Sequence, residues 1–370
     1  MPLDNNKMKI SNQPTKGDFT LTNTDLGHVL VTGGSGFVGK NFVKTLLNKG
    51  FKVRSFDLAP SDLEHENLEC VEGNICDFGL VEKIVEGIDT VFHTAAIIGL
   101  KGGNAVTKEY RDQSYSINIE GTKNLLKALR KAGGSRFIYT ASNSVIIEGK
   151  PLNNATEDTP YTTRFNDLYT ETKVIAEKWV LSQNGVEGVN TCAIRPSGIW
   201  GSGDQTVFKI FFEQIRNGVM LARVGDGSAL LDNTYVDNLI HGQILAAEHC
   251  VPGGTSEGEA YFINDGEPMN MFDFAGKVIE KAGGKKMPKL KIPAGLVKFF
   301  MVIWQELHFR FKFPEPILPP LAIERIAINN YFSIDKARRD LGYEPLFTTE
   351  QGIEASQDFY KALFEKITAK

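Results

Sequence analysis

From residue 28 to 194, short apolar runs that read as strands alternate with stretches of helical periodicity. HVLVT (28–32) is followed by a helix over about 37–48, then KVRSF (52–56), LECVE (68–72), a helix over 78–85 and DTVFHTA (89–95). A long helix near 110–131, RFIYTAS (136–142), a helix near 165–182 and VNTCAI (189–194) continue the series. Strand runs that stay apolar residue after residue belong to a sheet covered on both faces, and strand–helix alternation requires parallel crossovers. The expected fold is α/β: a Rossmann-type doubly wound parallel sheet of six or more strands. Beyond Gly201 the rhythm breaks. Helices near 207–217, 238–250, 271–282 and 349–364 are separated by Gly-rich and Pro-rich joins, which predicts a smaller, irregular C-terminal lobe. The expected layout is a flexible tail over 1–26, a nucleotide-binding domain over 27–200 to which 232–265 returns, and a lobe drawn mainly from 201–370.

Composition closes several other routes. With 42% hydrophobic residues among 370 the chain can bury a large core, which excludes disorder. A net charge of −4 offers no broad cationic surface, so no nucleic-acid partner is expected. Cys70, Cys76, Cys192 and Cys250 form no CxxC pair and no His stands at ligand spacing, so no metal is expected and a reducing, cytoplasmic setting fits best. The first 26 residues contain no apolar run able to act as a secretory core. The richest apolar run, Ile292 to Trp304, is 13 residues long and includes Lys298, whereas a spanning helix needs about 20.

Directly after the first strand stands Gly33-Gly34-Ser35-Gly36-Phe37-Val38-Gly39, a GxxGxxG turn that opens a helix. Glycines there allow a tight turn and let backbone N–H groups approach a pyrophosphate at the positive end of the helix dipole. Any strand-to-helix turn can collect glycines, but here the turn follows the first strand of a parallel sheet and Asp57 closes the second. A carboxylate at that place accepts the adenosine ribose hydroxyls and repels a 2′-phosphate, which favours NAD over NADP. Farther on, Tyr169-Thr170-Glu171-Thr172-Lys173 sets a phenol and an ammonium one helical turn apart. A phenol is a poor base at neutral pH, and a neighbouring cation together with an oxidised nicotinamide ring is expected to lower its pKa. YxxxK recurs by chance on many helices. Ser142, at the carboxyl end of the strand before it, is where a parallel sheet presents groups to ligand, although a local turn would use the same hydroxyl.

TGGSGFVG (32–39), Asp57, HTAA (93–96), Asn118 in NIEGT, TAS (140–142) and YTETK together resemble an extended short-chain dehydrogenase/reductase over roughly 27–365. RPSGIWGSGD (195–204), NTYVDNLIHGQILAAEH (233–249), AYFINDGEP (260–268) and YFSIDKARRDLGYEP (331–345) resemble the 3β-hydroxysteroid dehydrogenase/isomerase branch, most of all its bacterial members that act on cholesterol. The resemblance implies a catalytic serine at Ser142, a tyrosine base at Tyr169, and a lysine at Lys173 that also holds the nicotinamide ribose. It implies NAD contacts from Gly33, Gly36, Phe37, Val38, Gly39, Asp57, Asn74, Ile75, Thr94, Ala95, Ala96, Asn118 and Pro196. It also implies a homodimer through the helices near 110–131 and 165–182. Two positions depart from the pattern: Asn74 stands where the family usually has Asp near the adenine amino group, and Ala141 replaces the middle hydroxyl of Thr-Ser-Ser.

Dehydrogenases of nucleotide sugars usually carry Arg before the Asp of an Arg-Asp-Phe/Tyr segment, where it pairs with phosphate. The matching stretch here is Leu230-Leu231-Asp232-Asn233-Thr234-Tyr235. Leu231 suits an uncharged, apolar substrate, unless an unaligned Arg223 or Arg325 supplies the cation. The activity implied is NAD-dependent oxidation of a sterol 3β-hydroxyl to the 3-ketone, with Δ5 to Δ4 isomerisation following. The competitors are a decarboxylating sterol-4α-carboxylate 3-dehydrogenase, a nucleotide-sugar epimerase or dehydratase, and an NAD-sensing scaffold. The segment 292–313 is expected to be core, pocket wall or a peripheral membrane contact.

Overall fold

The structure, a computed structural model, describes residues 8–9, 25–99, 106–218, 222–283, 286–314, 316, 318 and 320–369. Most of the expected tail lies outside these residues; Met8–Lys9 pairs in parallel with Leu63–Glu64.

Seven parallel strands form the central sheet: β1 (Val29–Thr32), β2 (Val53–Asp57), β3 (Leu68–Glu72), β4 (Thr90–His93), β5 (Arg136–Thr140), β6 (Asn190–Pro196) and β7 (Ala260–Ile263). Their order is β7-β6-β5-β4-β1-β2-β3. The order reverses at β1, which lies between β2 and β4, so a crevice opens beyond its carboxyl end. The inner strands β1, β4 and β6 are buried throughout, whereas β3, at the edge, is half exposed.

Side chains alternate across the sheet and each face has its own core. Val29 and Val31 pack on one side with Phe42, Val43 and Leu46 of α1 (Phe37–Asn48) and Leu239, Ile240 and Ile244 of α7 (Val236–His249). Leu30 and Val91 pack on the other with α2 (Phe78–Ile84), α4 (Thr122–Lys131) and α5 (Leu168–Ser182). The long helix expected at 110–131 is present over 108–131, with one π-helical turn inside it. It begins as α3 (Lys108–Tyr115), passes through a π-helical turn at Ser116–Gly121, and resumes as α4.

The smaller lobe has a separate aromatic core in which Trp200, Phe208, Phe212, Phe274, Tyr360 and Phe364 meet. They come mainly from α6 (Val207–Arg216), α8 (Met271–Gly283) and the C-terminal helices. The single helix expected at 349–364 is two, α12 (Thr349–Ala355) and α13 (Gln357–Thr368), broken at Ser356, whose φ of −100° and ψ of 2° leave the helical region. Between α8 and these lie α9 (Ala294–Phe311), α10 (Pro320–Ala327) and α11 (Asp335–Leu341). Ile334, Ala337, Leu341 and Tyr343 return to the α1/α7 face of the sheet.

Candidate functional site

The glycine turn leaves β1 at the switch point. Gly33 holds φ +73° and its N–H donates to the Phe56 carbonyl at 2.8 Å. A Cβ on Gly33 would stand 3.0 Å from Ala95, and one on Gly39 only 2.1 Å from the Gly33 carbonyl oxygen, so both are glycine for want of space. Gly36 caps α1 with no side-chain hydrogen bond, which leaves the first-turn N–H groups of Phe37, Val38 and Gly39 available to an anion. At the tip of β2 the Asp57 carboxylate accepts from the N–H of Ser35 and of Ala59, each at 3.0 Å. The cradle and its neighbouring carboxylate fit a dinucleotide. Asn74 is exposed, with its side-chain oxygen accepting from Cys76 N–H at 2.9 Å, while Ile75 is buried in the core and packs against Gly121.

The segment after β4 is held from behind. Thr94 Oγ1 donates to the Thr32 carbonyl at 2.7 Å, and the N–H of Ala95 reaches Thr32 Oγ1 at 3.3 Å. Asn118 projects inward from the π-helical turn. Its Oδ1 accepts from Ile97 N–H at 2.8 Å, and its Nδ2 donates to the Ile97 carbonyl and to Thr172 Oγ1, both at 3.0 Å. Its amide therefore pins the loop beside the crevice. His93 lies beneath, with Nδ1 2.7 Å from Thr32 Oγ1 and Nε2 2.8 Å from Thr122 Oγ1. Since Thr122 donates to the Asn118 carbonyl, Nε2 carries the proton. Burial first, and then the charge of Lys173, hold this imidazole down at about 3, so it stays neutral.

Ser142 follows β5, is buried, and accepts from Ser144 N–H at 3.2 Å. Tyr169 sits in the first turn of α5, with Ser142 near enough to its phenol to draw that group's titration down. Lys173, one turn on and 3% exposed, donates to the Thr140 carbonyl at 2.6 Å and lies 5.8 Å from the centre of the Tyr169 ring. The structure thus brings serine, phenol and amine into one corner at the carboxyl end of β5. Pro196 closes the neighbouring strand β6, opposite Ile263.

One expectation is corrected. Burial pushes the Tyr169 phenol up to about 12, outweighing Ser142, which pulls it down. Burial also lowers Lys173 to about 7. In the protein alone, then, the expected lowering of the phenol's pKa is not reached, because desolvation is the largest influence on it.

A family described as 3-beta hydroxysteroid dehydrogenase/isomerase matches residues 30–294. The chain belongs to that family. It is 58% identical to 3 beta-hydroxysteroid dehydrogenase/Delta 5-->4-isomerase of Mycobacterium tuberculosis (strain ATCC 25618 / H37Rv), over 95% of each chain. It is 59% identical to 3-beta-hydroxysteroid dehydrogenase of Mycolicibacterium neoaurum, over 96% of each. Among solved structures it is similar in fold to UDP-glucuronic acid 4-epimerase from Bacillus cereus in complex with NAD. That likeness has a TM-score of 0.70 at 22% identity and covers 91% of this chain and 99% of the other.

In this 3-beta hydroxysteroid dehydrogenase/isomerase family member, both unaligned arginines are already matched with carboxylates. Arg223 Nη1 lies 2.6 Å from Asp273, and Arg325 Nη2 lies 2.6 Å from Asp167. Behind Lys173, Glu177 and Arg195 form a buried pair at 2.6 Å, which Tyr161 joins by donating to Glu177 at 2.8 Å. Sequence reading missed Asp167, Glu177 and the Thr32–His93–Thr122 chain. Asp167 alone had a local signal: it stands three residues before Thr170, as an N-cap does, and it fixes the start of α5 at Leu168 rather than near Phe165.

Proposed function

We propose that this protein oxidises the 3β-hydroxyl of a Δ5-sterol to the ketone with NAD, and then moves the double bond to Δ4. The reading is carried by one observation, the Ser142–Tyr169–Lys173 corner beside a dinucleotide cradle, in a chain close to family relatives that bear those names. NAD, when bound, accepts the hydride. Gly33, Gly36, Phe37, Val38 and Gly39 would hold its pyrophosphate and Asp57 its adenosine ribose, with Asn74 and Ile75 on the adenine side. Thr94, Ala95, Ala96 and Pro196 would border the rest, and Asn118 keeps the loop before Ile97 in place. Ser142 orients the sterol oxygen. Tyr169 takes the hydroxyl proton, for which a positive charge must arrive beside it to offset the burial that holds the phenol high. Lys173 fixes the nicotinamide ribose and keeps the phenolate accessible.

The 3-ketone acidifies the carbon between it and the Δ5 bond, so the bond can migrate once a base removes that proton. The two steps separate spectroscopically. A 3β-hydroxy-Δ5-sterol should raise the reduced coenzyme's absorbance and then that of the conjugated enone, whereas a 4-carboxysterol and a UDP-sugar should give neither. Reduction driven best by the UDP-sugar, or carbon dioxide release from the carboxysterol, would overturn the reading.

The same proposal includes a peripheral contact with a lipid surface. None of the described residues of α9 is buried, so the run is not core. Leu296, Phe299, Phe300 and Ile303 fall at i, i+3, i+4 and i+7 and are all exposed, as are Leu290, Phe311 and Phe313. An apolar stripe at this spacing that faces outward suits a helix lying in the interface plane. No helix among the described residues is long and apolar enough to cross a membrane. Changing Phe299, Phe300 and Ile303 together to Ser should abolish sedimentation with liposomes while NAD binding is kept; undiminished sedimentation would remove the contact. A homodimer through α3, α4 and α5 belongs to the same reading, and its check is the mass in solution.

A further inference from the structure

Asp167 caps α5 two residues before Tyr169. It accepts from Thr170 N–H at 2.8 Å and from Thr170 Oγ1 at 3.0 Å, and its carboxylate is fully buried. A neutral Asn would make the same cap. A buried negative charge this close works against forming a phenolate, so the carboxylate needs its own counterion. That counterion comes from the other lobe. Arg325, on α10, places Nη2 2.6 Å from Asp167 Oδ2 and 3.2 Å from Thr170 Oγ1. The same helix brings Leu321 and Glu324 against Ile147 and Gly149, in the segment that follows Ser142, around a small cavity.

Resting on the reading of Tyr169 as the base, we infer that Arg325 is a positioning residue for it: across the lobes it clamps and neutralises the Asp167 cap, which fixes the first turn of α5 and the field at the phenol.

The other polar and charged groups around the phenol leave this place open to Arg325. Ser142 and Tyr139 face it from the β5 side and Lys173 from the next turn of α5. His93 on β4 is neutral. Glu177 is paired with Arg195 of β6, and Glu171 faces Arg111 and Tyr115 of α3. Glu148 bonds Thr163, and Glu324 bonds Lys298 of α9. Both charges act on the phenol's titration, which Asp167 raises and Arg325 lowers.

The test is the pH profile of kcat/KM for sterol oxidation, in Arg325→Met, Asp167→Asn and the double variant, with NAD affinity followed by fluorescence titration. Arg325→Met leaves Asp167 uncompensated, so the acidic limb should move to higher pH by about half a unit to one unit. Asp167→Asn leaves the cation uncompensated and should move it to lower pH. The double variant should return close to the parent, and Arg325→Lys, which keeps the charge, should hold the parent's limb. NAD affinity should not move in any of them. Limbs that coincide in all the variants, or a double variant no nearer the parent than Arg325→Met, would overturn the inference. If Arg325→Met does not fold, the opposite shift in Asp167→Asn decides alone. Tyr169→Phe, run beside them, separates the two failures: lost turnover there with unshifted limbs elsewhere sinks this inference and leaves the base assignment standing.

Discussion

Gly39 shows at single-residue scale how closely the cradle is built. Its missing side chain would overlap the Gly33 carbonyl at 2.1 Å, so Gly39→Ala must open the turn that aims the α1 N–H groups. NAD affinity should fall at least about tenfold, measured by titration, while circular dichroism shows the chain still folded, because the overlap is confined to the turn. The same scale marks where sequence stops informing. Tyr169, Lys173, Ser142 and Asp57 were legible because each lies in a short motif whose spacing carries the chemistry. The titration of the phenol was not. Burial outweighs the pull of Ser142 there, and burial depends on residues that approach from distant parts of the chain.

At the scale of elements, six of the seven strands were legible because a doubly covered sheet leaves continuous apolar runs, and α1 was read over its actual residues; the seventh, Ala260–Ile263, was not read as a strand. The π-helical turn at Ser116–Gly121 was not legible either, since it spans too few residues to stand out from the helical stretches on either side. That turn carries Asn118 inward to bridge the loop after β4 to α5. Asn118→Ala would leave Ile97 and Thr172 short of partners and should cost about 1–3 kcal/mol by denaturant unfolding; NAD affinity should drop with it, because Thr94 to Ile97 loosen. For α9 the apolar spacing was readable, but the side on which it faces was set by what packs beside it. Ser356, likewise, breaks the last helical stretch without a Gly or Pro to announce it.

Over the whole molecule, the doubly wound parallel sheet was foreseen from rhythm alone. The buried carboxylates that join sheet and lobe were not, because their neighbours are distant in sequence. Asp232 accepts from Phe332 N–H at 2.6 Å and from Asn264 at 3.1 Å. Burial first, and the nearby Asp265 as well, push it up to about 7. Between about pH 4, where the unfolded chain releases this proton, and about 7, the folded state still holds it. Its contribution to stability is therefore full at acidic pH and is lost as pH rises through that window. Asp265 and Asp237, both raised to about 6 by burial, act in the same sense. Asp232→Asn removes the titration, so its melting temperature should gain on the parent's as pH is raised from 5 to 8; a constant difference would mean that Asp232 ionises as it does in water.

The most direct measurement is the turnover of a 3β-hydroxy-Δ5-sterol by Tyr169→Phe beside the parent, with NAD affinity taken on the same preparations. Removing the hydroxyl leaves the ring and its packing, so turnover should fall by about a hundredfold or more while NAD binds as before. Parental turnover from the Phe variant would contradict the account, because no proton acceptor would then be needed at that position.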